Sequence, residues 1–413
     1  MSRPQRLILS GIFSTVNAWR HPALDARGIF TTAFYRRLAE TAERGRLDMV
    51  FFGDALSLPG QAADGTLDEH AITRGLEPAT TIAALAGAVS HLGLAGTFNT
   101  SYWTPEAIAR KTATLHLLSG GRMAWNVVTA TIGQDDDNLR PLAPLSHQER
   151  YARADEAIAA VRRLWRGEPS PAGRWFAEAA ALGLPALPDD DQPLIVQAGR
   201  SAEFRLQAAR TAEAVFTTLG TLDEARAFYA SVKDAMPRFG RDPGACKILP
   251  GLRIVLGRTE AEAQEKAAWL ESLVLPEIAI RALSVRLGQD LSAFDPDGPL
   301  PPAPPGQGGS PDELAWRSQL RQLAADRGYS ILQLSRAADQ TRGHSGYLGT
   351  PAGLADLMAT WRDTRACDGF NIMFPSLPEG LEDFVNLGIP VLQERGLAQT
   401  DYRCGTLREK LRT

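Results

Sequence analysis

The sequence has 413 residues, of which 44% are hydrophobic and 22% are charged, and its formal net charge is -4 at pH 7. This is the composition of a globular protein, and the slightly acidic balance argues against nucleic acid or an anionic membrane as a partner. The three cysteines are too far apart for a disulfide framework or a zinc site, and no apolar run approaches the roughly 20 residues that span a bilayer, so we expect a cytoplasmic protein.

Short apolar runs alternate with longer segments of helical spacing along most of the chain. Eight of the runs are predicted strands, namely 7–13, 49–55, 92–100, 121–130, 193–199, 214–219, 247–257 and 369–374. A helical segment follows each one, and the segment after the third strand has Thr104 as its cap and Gly120 as its stop. The strands are continuous apolar runs, as expected when helices cover both faces of a parallel sheet. The pattern predicts an α/β fold, a (β/α)8 TIM barrel.

Two segments interrupt this alternation, so we predict a single barrel domain over 1–413 with insertions at about 166–192 and 276–345. Long insertions in a compact domain are often lids or binding loops. We expect the larger insertion to cover the C-terminal mouth of the barrel, with helices at 276–288 and 312–325. Its turn-rich centre, 294–311, is predicted to be disordered or a mobile lid.

The active site of such a barrel lies at the C-terminal ends of the strands. Polar residues at these ends are the candidates, namely Ser14–His21, Asp54, Asn99–Ser101, Asn126–Thr129, Gly199–Ser201 and Asn371. The successive residues Trp125 and Asn126 must point to opposite faces of their strand, and the sequence leaves open which one points inward.

Hydrolytic and metal-dependent chemistry find little support in these candidates. A glycosidase requires two carboxylates at strand ends, and only Asp54 stands at one. The histidines show no ligand spacing, the acidic segment 133–138 is typical of a solvated loop, and a nucleophilic serine elbow is missing. We therefore assign no metal site and no catalytic residue. Amide, hydroxyl and aromatic groups instead favour an enzyme whose chemistry comes from a cofactor.

One phosphate-binding pattern follows the fifth strand, in "VQAGRSAEF". Gly199 ends the strand and Ser201 begins a helix, whose free N–H groups and hydroxyl could bind a phosphate. A plain N-cap serine gives the same pattern. Both interpretations stay open on these residues alone.

The segment "GRMAWNVVTA" (121–130) resembles "GR-x-x-WNVVTS" of the bacterial luciferase-like flavin monooxygenases, in the branch of nitrilotriacetate and dibenzothiophene-sulfone monooxygenases. Further segments resemble that branch in the same order, among them "FFGDALS", "GTFNTSYWTPEAIARKTATLHLLSGGR", "HQERYARADEAI", "VQAGRS", "LGTPAGLADLM" and "DGFNIMFPSLPEGLEDFVNLGIPVLQERG". The resemblance covers nearly the whole chain. Four positions depart from the usual pattern: Ala130 and Arg200 each replace a serine, Phe204 replaces a glycine, and Asn99 replaces a more usual small residue.

The resemblance implies a two-component monooxygenase. Reduced FMN would come by diffusion from a separate NAD(P)H:flavin reductase, and with O2 it would oxygenate a small organic substrate, such as an organosulfur compound, a xenobiotic or a natural product. A homodimer or homotetramer is expected. The FMN contacts carried over from the family are Asp54, Thr100, His147, Tyr151 and Ser201. Of these, Ser201, Tyr151 and His147 would hold the phosphate, and Asp54 and Thr100 the ring or ribityl end.

Two alternatives remain beside this function. One keeps the barrel but uses a deazaflavin, as a sister branch does, and the other is a flavin-binding protein without turnover. The sequence also lacks a G-x-G-x-x-G turn between a strand and a helix. We therefore expect no NADH site on this chain.

Overall fold

The computed structural model describes residues 6–13, 28–54, 76–129, 145–309, 311–341 and 344–412. The first loop (14–25), Ala130 and the acidic segment 133–138 lie outside these residues. Within the described ranges the strands are β1 (Ile8–Ile12), β2 (Met49–Phe52), β3 (Gly93–Asn99), β4 (Met123–Val128), β5 (Leu194–Ala198), β6 (Ala214–Thr217), β7 (Lys247–Leu256), β8 (Ser345–Gly349) and β9 (Gly369–Met373).

These strands form a closed parallel barrel, which confirms the predicted fold class. The order is β6-β5-β4-β3-β2-β1-β9-β7, and pairing of β6 with β7 closes the ring. The eight strands of the ring are the eight that the sequence predicts. The ninth described strand, β8, was not predicted. It pairs only with the second half of β7, from Leu252 to Leu256, and its sequence, "SGYLG", is short and partly exposed rather than a continuous apolar run.

Helices surround the barrel, because each strand is followed by a segment with one apolar face. In the described residues they are α1 (Thr32–Arg44), α2 (Pro78–Ala86), α3 (Pro105–Leu118), α4 (His147–Trp165), α5 (Ala202–Thr211), α6 (Leu222–Lys233), α7 (Glu260–Ser272), α8 (Pro276–Leu287), α9 (Pro311–Arg327), α10 (Ile331–Thr341), α11 (Pro351–Asp363), α12 (Glu379–Asp383), α13 (Ile389–Glu394) and α14 (Leu407–Leu411).

The last predicted helix, 381–396, is not continuous. A single π-helical turn, Phe384–Gly388, separates α12 from α13. Pro390, the second residue of α13, has no N–H with which to continue an α-helical ladder. A local change of helix type is the usual response to such a gap.

The larger insertion is a three-helix unit with an apolar core of its own. Leu283 and Leu287 of α8 pack with Leu320 of α9 and with Ile331 and Leu334 of α10. The predicted helices at 276–288 and 312–325 are present as α8 and α9, whereas α10 was not predicted.

The turn-rich segment 294–309 is held against these helices by hydrogen bonds. The Arg321 guanidinium donates to the backbone oxygen of Pro301 at 2.7 Å, and the Gln289 amide donates to that of Pro302 at 3.1 Å. The segment therefore has a defined place beside α8 and α9. Its predicted mobility stays a prediction.

The smaller insertion, 166–192, is anchored to the flank of α4. The Glu156 carboxylate accepts hydrogen bonds from the backbone N–H groups of Arg174, Trp175 and Phe176 at 3.0–3.1 Å. The Arg153 guanidinium also stacks over the Phe176 ring, 4.3 Å from its centroid. The insertion also reaches the first turn of α4, where Arg174 pairs with Glu149 at 3.0 Å, so it packs along one face of that helix.

The C-terminal helix closes the floor of the barrel. Leu407 and Leu411 of α14 pack inside the ring with Ile8 and Met49. The backbone N–H of Leu407 donates to the oxygen of Gly121 at 3.0 Å, just before β4. The interior is therefore completed by a helix that follows every strand in the chain.

Candidate functional site

The N-terminal ends of α4 and α5 lie together at the C-terminal face of the barrel. Ser146 caps α4 and His147 is its first residue, while Ser201 caps α5. Tyr151 lies one turn after His147, and the two rings are in edge-to-face contact with centroids 4.9 Å apart. The structure thus brings together three of the five predicted site residues.

The Ser201 side chain is the centre of this cluster. Its oxygen accepts a hydrogen bond from the backbone N–H of Phe204 at 3.2 Å. The Tyr151 phenol and the Glu203 carboxylate lie close enough to this hydroxyl to interact with it.

The cluster combines a phenol donor, the His147 ring and the Glu203 carboxylate at the start of α5. Burial raises the pKa of Tyr151, so its phenol stays a donor at neutral pH. The pKa of Glu203 is lowered, chiefly because its own backbone N–H and the Ser201 hydroxyl donate to the carboxylate. His147 Nδ1 lies 3.9 Å from Glu203 Oε2. The start of α5 therefore already holds one anionic group, as the dipole and the free N–H groups of a helix start favour.

The turn before α5 is shaped by Gly199 and Phe204. A Cβ added to Gly199 would lie 2.6 Å from the Phe204 ring, which is too close for any other residue type. Phe204 is 1% exposed and points into the core. The unusual phenylalanine is therefore accommodated behind the turn, and its backbone N–H still supports the Ser201 cap.

The other two predicted residues lie on neighbouring strands of the same face. Asp54 is an exposed residue just past the end of β2. Thr100 follows β3 and is fully buried, and its hydroxyl donates to the backbone oxygen of Val128 at 3.2 Å. The Arg153 guanidinium of α4 donates to the backbone oxygen of Thr100 at 3.1 Å. Thr100 is thus linked to α4, and its hydroxyl oxygen keeps lone pairs that can accept.

The orientation of Trp125 and Asn126 is now settled. Trp125 faces outward, where its ring makes an edge-to-face contact with Trp165 of α4 at 6.2 Å and its Nε1 donates to the Phe98 oxygen. Asn126 faces the barrel interior, and its Nδ2 donates to Thr97 Oγ1 at 2.9 Å. Within the described residues, Asn126 Oδ1 is buried and has no hydrogen-bond donor. An acceptor of this kind on the inner wall suits a ligand or an ordered water.

The start of the same segment has a structural role. Gly121 has a φ of 84°, and a Cβ there would lie 2.8 Å from the Thr406 side chain. Arg122 is 5% exposed and donates to three backbone oxygens, those of Ser119, Leu92 and Ala86, at 2.6, 3.0 and 2.7 Å. The Gly-Arg pair therefore locks β4 to the floor of the barrel, far from the site.

Two residues of this region were missed by sequence reasoning. Glu203 resembles an ordinary acidic residue in a first helical turn, and Arg153 an ordinary surface arginine of α4; only the packing of α4 against α5 and β3 reveals their contacts. In the described part of the chain, no group of three or more His, Cys, Asp or Glu residues is arranged to hold a metal ion. Among the described helices, none has both the length and the apolar composition to cross a bilayer.

Comparison with known proteins gives consistent matches. Residues 11–366 match the luciferase-like monooxygenase family. The chain is 38% identical to N-acetyl-S-(2-succino)cysteine monooxygenase of Bacillus subtilis (strain 168), over 98% of this chain and 95% of that protein. It is 36% identical to nitrilotriacetate monooxygenase component A of Aminobacter aminovorans, over 95% and 92%. The solved structure of EDTA monooxygenase from Chelativorans sp. BNC1 is similar with a TM-score of 0.77, 32% identity and 98% of each chain covered.

These matches extend along the whole barrel and include the segments on which the predicted resemblance depends. The family predicted from the sequence is therefore confirmed. The chain belongs to the luciferase-like monooxygenase family, and it is an oxidoreductase of the monooxygenase type.

Proposed function

We propose that this protein is the oxygenase component of a two-component system, which uses reduced FMN from a separate reductase and O2 to oxygenate a small organic substrate. The observation that carries the proposal is the cluster of Tyr151, Ser201 and His147 at the adjoining starts of α4 and α5. Its donors suit a terminal phosphate, and a relative's name, nitrilotriacetate monooxygenase component A, supports a second component.

The residues present fit FMN at both ends. Ser201, Tyr151 and the free N–H groups of α5 would hold the phosphate, with His147 beside them. Asp54 and Thr100 would contact the ring or ribityl end from the ends of β2 and β3. Bound reduced FMN supplies the activation of O2 and the transfer of one oxygen atom. The chain's own residues bind the cofactor, orient it and exclude water.

The two alternatives receive less support. A deazaflavin has carbon in place of the ring nitrogen next to the carbon at which reduced flavins react with O2, so it suits hydride transfer better than oxygenation. Two relatives that are more than a third identical are named as monooxygenases, which favours FMN. Their enzymatic activity also favours turnover over flavin storage. The substrate class, an organosulfur compound, a xenobiotic or a natural product, stays a prediction, and so does the homodimer or homotetramer.

The source of electrons provides the first test. The purified chain with FMN, NADH and O2 is expected to consume almost no NADH, and an unrelated flavin reductase should restore turnover because free reduced FMN diffuses between the proteins. Candidate substrates are screened with 18O2, and mass spectrometry detects one labelled oxygen atom in the product. Rapid oxidation of NADH by the chain alone would contradict the two-component proposal. Turnover with a reduced deazaflavin but not with reduced FMN would support the alternative.

The Glu203→Gln substitution is expected to tighten the binding of reduced FMN. The Glu203 carboxylate lies at the helix start where the phosphate would bind, so the two anions compete for the same donors. A charge at a helix terminus typically contributes about 0.3–1 kcal/mol, so we expect about a two- to fivefold gain in affinity. Anaerobic titration measures it, and Glu224→Gln in the first turn of α6 is the matched control. Weaker binding of the Glu203 variant would show that the carboxylate assists the cofactor instead.

A further inference from the structure

A cavity of about 1080 Å³ opens at the N-terminal face of the barrel. It lies between one face of α6, the loop 242–245, the start of β7 and the residues just before β9. The proposed FMN site is at the C-terminal face, at the opposite end of the same strands. A ligand in this cavity would therefore be separate from the flavin.

Two buried lysines lie at the bottom of this cavity, and each is 6% exposed. The first, Lys233, is fully paired. Its ammonium lies 2.9 Å from Asp368 Oδ2, and it donates to the backbone oxygens of Pro243 and Cys246. Three acceptors match the three protons of an ammonium group, so Lys233 has a structural role.

The second lysine, Lys247, has no such set of acceptors. The nearby carboxylate of Asp368 is already used by Lys233, by the Tyr229 hydroxyl at 3.2 Å and by the backbone N–H of Ile248 at 2.8 Å. Among the residues that the structure describes, none accepts a hydrogen bond from the Lys247 ammonium. Burial lowers the pKa of Lys247. The Lys247 ammonium is not among the buried polar atoms that lack a partner, so it is open to the cavity, where an anionic ligand would supply acceptors.

The charges around the cavity favour an anion as the ligand. Five cationic and four acidic side chains line it. Lys233 is paired with Asp368 and Arg226 with Asp223. Within the described residues, the unpaired cations are Lys247 at the bottom and Arg365 and Arg412 at the exposed rim, against the two acids Asp234 and Asp242, so the lining has an excess of one positive charge.

We propose that this cavity binds a phosphate group, either as inorganic phosphate or as part of a small metabolite, with Lys247 as its buried contact. A phosphate supplies the acceptors that Lys247 lacks, and its double charge suits three cations better than a single carboxylate does. The cavity is also much larger than one ion. The volume beyond the phosphate would admit an attached organic group.

Calorimetric titration tests the proposal with two probes, inorganic phosphate and adenosine monophosphate, at constant ionic strength. The titrations use the Ser201→Asp variant, so that the proposed FMN site does not contribute. Lys247→Met should weaken phosphate binding about tenfold or more, the usual effect of losing a hydrogen bond between charged groups. Lys111→Met, which removes one positive charge from α3, should leave it unchanged. The tighter-binding probe identifies the source of the phosphate.

Thermal unfolding shows whether the variants are folded. Lys247→Met should be as stable as the parent without ligand, because an apolar side chain often replaces a buried charge without loss. If it does not fold, Arg365→Gln at the exposed rim provides a second measurement, with an expected loss of about threefold or more. Absence of binding to the Ser201→Asp parent, or equal affinity in every variant that folds, would overturn the proposal.

Discussion

The Ser201→Asp substitution is expected to weaken the binding of reduced FMN by about 100-fold or more, while the fold is preserved. Aspartate is as good an N-cap as serine, so α5 keeps its start and Phe204 keeps its acceptor. The new carboxylate would face the phosphate directly. Two like charges ~4 Å apart repel by about 4 kcal/mol at an effective dielectric constant near 20, and about 3 kcal/mol after partial screening corresponds to the stated loss.

Two controls make this experiment specific to the phosphate. Thr221→Asp makes the same kind of change at the cap of α6, where the side chain accepts from the backbone N–H of Glu224 at 3.3 Å, and it should leave FMN affinity unchanged. Reduced riboflavin, which has no phosphate, should bind wild type and Ser201→Asp about equally. An equal loss of affinity for riboflavin and FMN would remove Ser201 from the phosphate site.

The Trp125→Ala substitution is expected to lower the free energy of unfolding by about 3–5 kcal/mol, the usual range for a buried aromatic side chain. Trp125 is fully buried against Trp165, and its Nε1–H is bonded to the Phe98 oxygen at 3.1 Å. Urea unfolding measures the loss. Trp125→Phe should lose less, because a ring still fills the space and only the hydrogen bond is removed.

The same variants test the outward position of Trp125. Folded Trp125→Phe should bind reduced FMN with nearly wild-type affinity, because the ring lies between β4 and α4 and not inside the barrel. Asn126→Ala, on the inner face, is the matched comparison and should have the larger effect on ligand binding. A stable Trp125→Phe variant with greatly weakened FMN binding would contradict the assignment of the two faces.

The strands and most helices could be predicted because each carries its own local signal. The eight ring strands are apolar runs, and caps such as Thr104 mark the starts of helices. By contrast, β8 depends on β7 for its pairing and has little apolar character. The π-helical turn before Pro390 interrupts a sequence whose apolar spacing is otherwise helical. An element whose conformation depends on a distant partner is hard to predict from the local spacing of apolar residues.

The candidate site could be predicted only in part for the same reason. A serine after a strand and a histidine one turn before a tyrosine are local patterns that the sequence shows directly. The family resemblance then assigns all three residues to the same ligand, FMN. Whether Trp125 or Asn126 points inward depends on the register of β4 with β3 and β5. Lys247 begins a strand and resembles an exposed end residue, because the groups that bury it come from α6 and from the residues just before β9.

The closure of the floor by α14 has a consequence for synthesis. The ribosome releases all nine described strands before Leu407 and Leu411 emerge, so a nascent barrel has an open apolar interior next to Ile8 and Met49. That interior is prone to aggregation until α14 packs into it and the backbone oxygen of Gly121 accepts a hydrogen bond from the N–H of Leu407. The barrel interior therefore stays uncovered until α14 has been synthesised, and during that interval the nascent chain is exposed to aggregation.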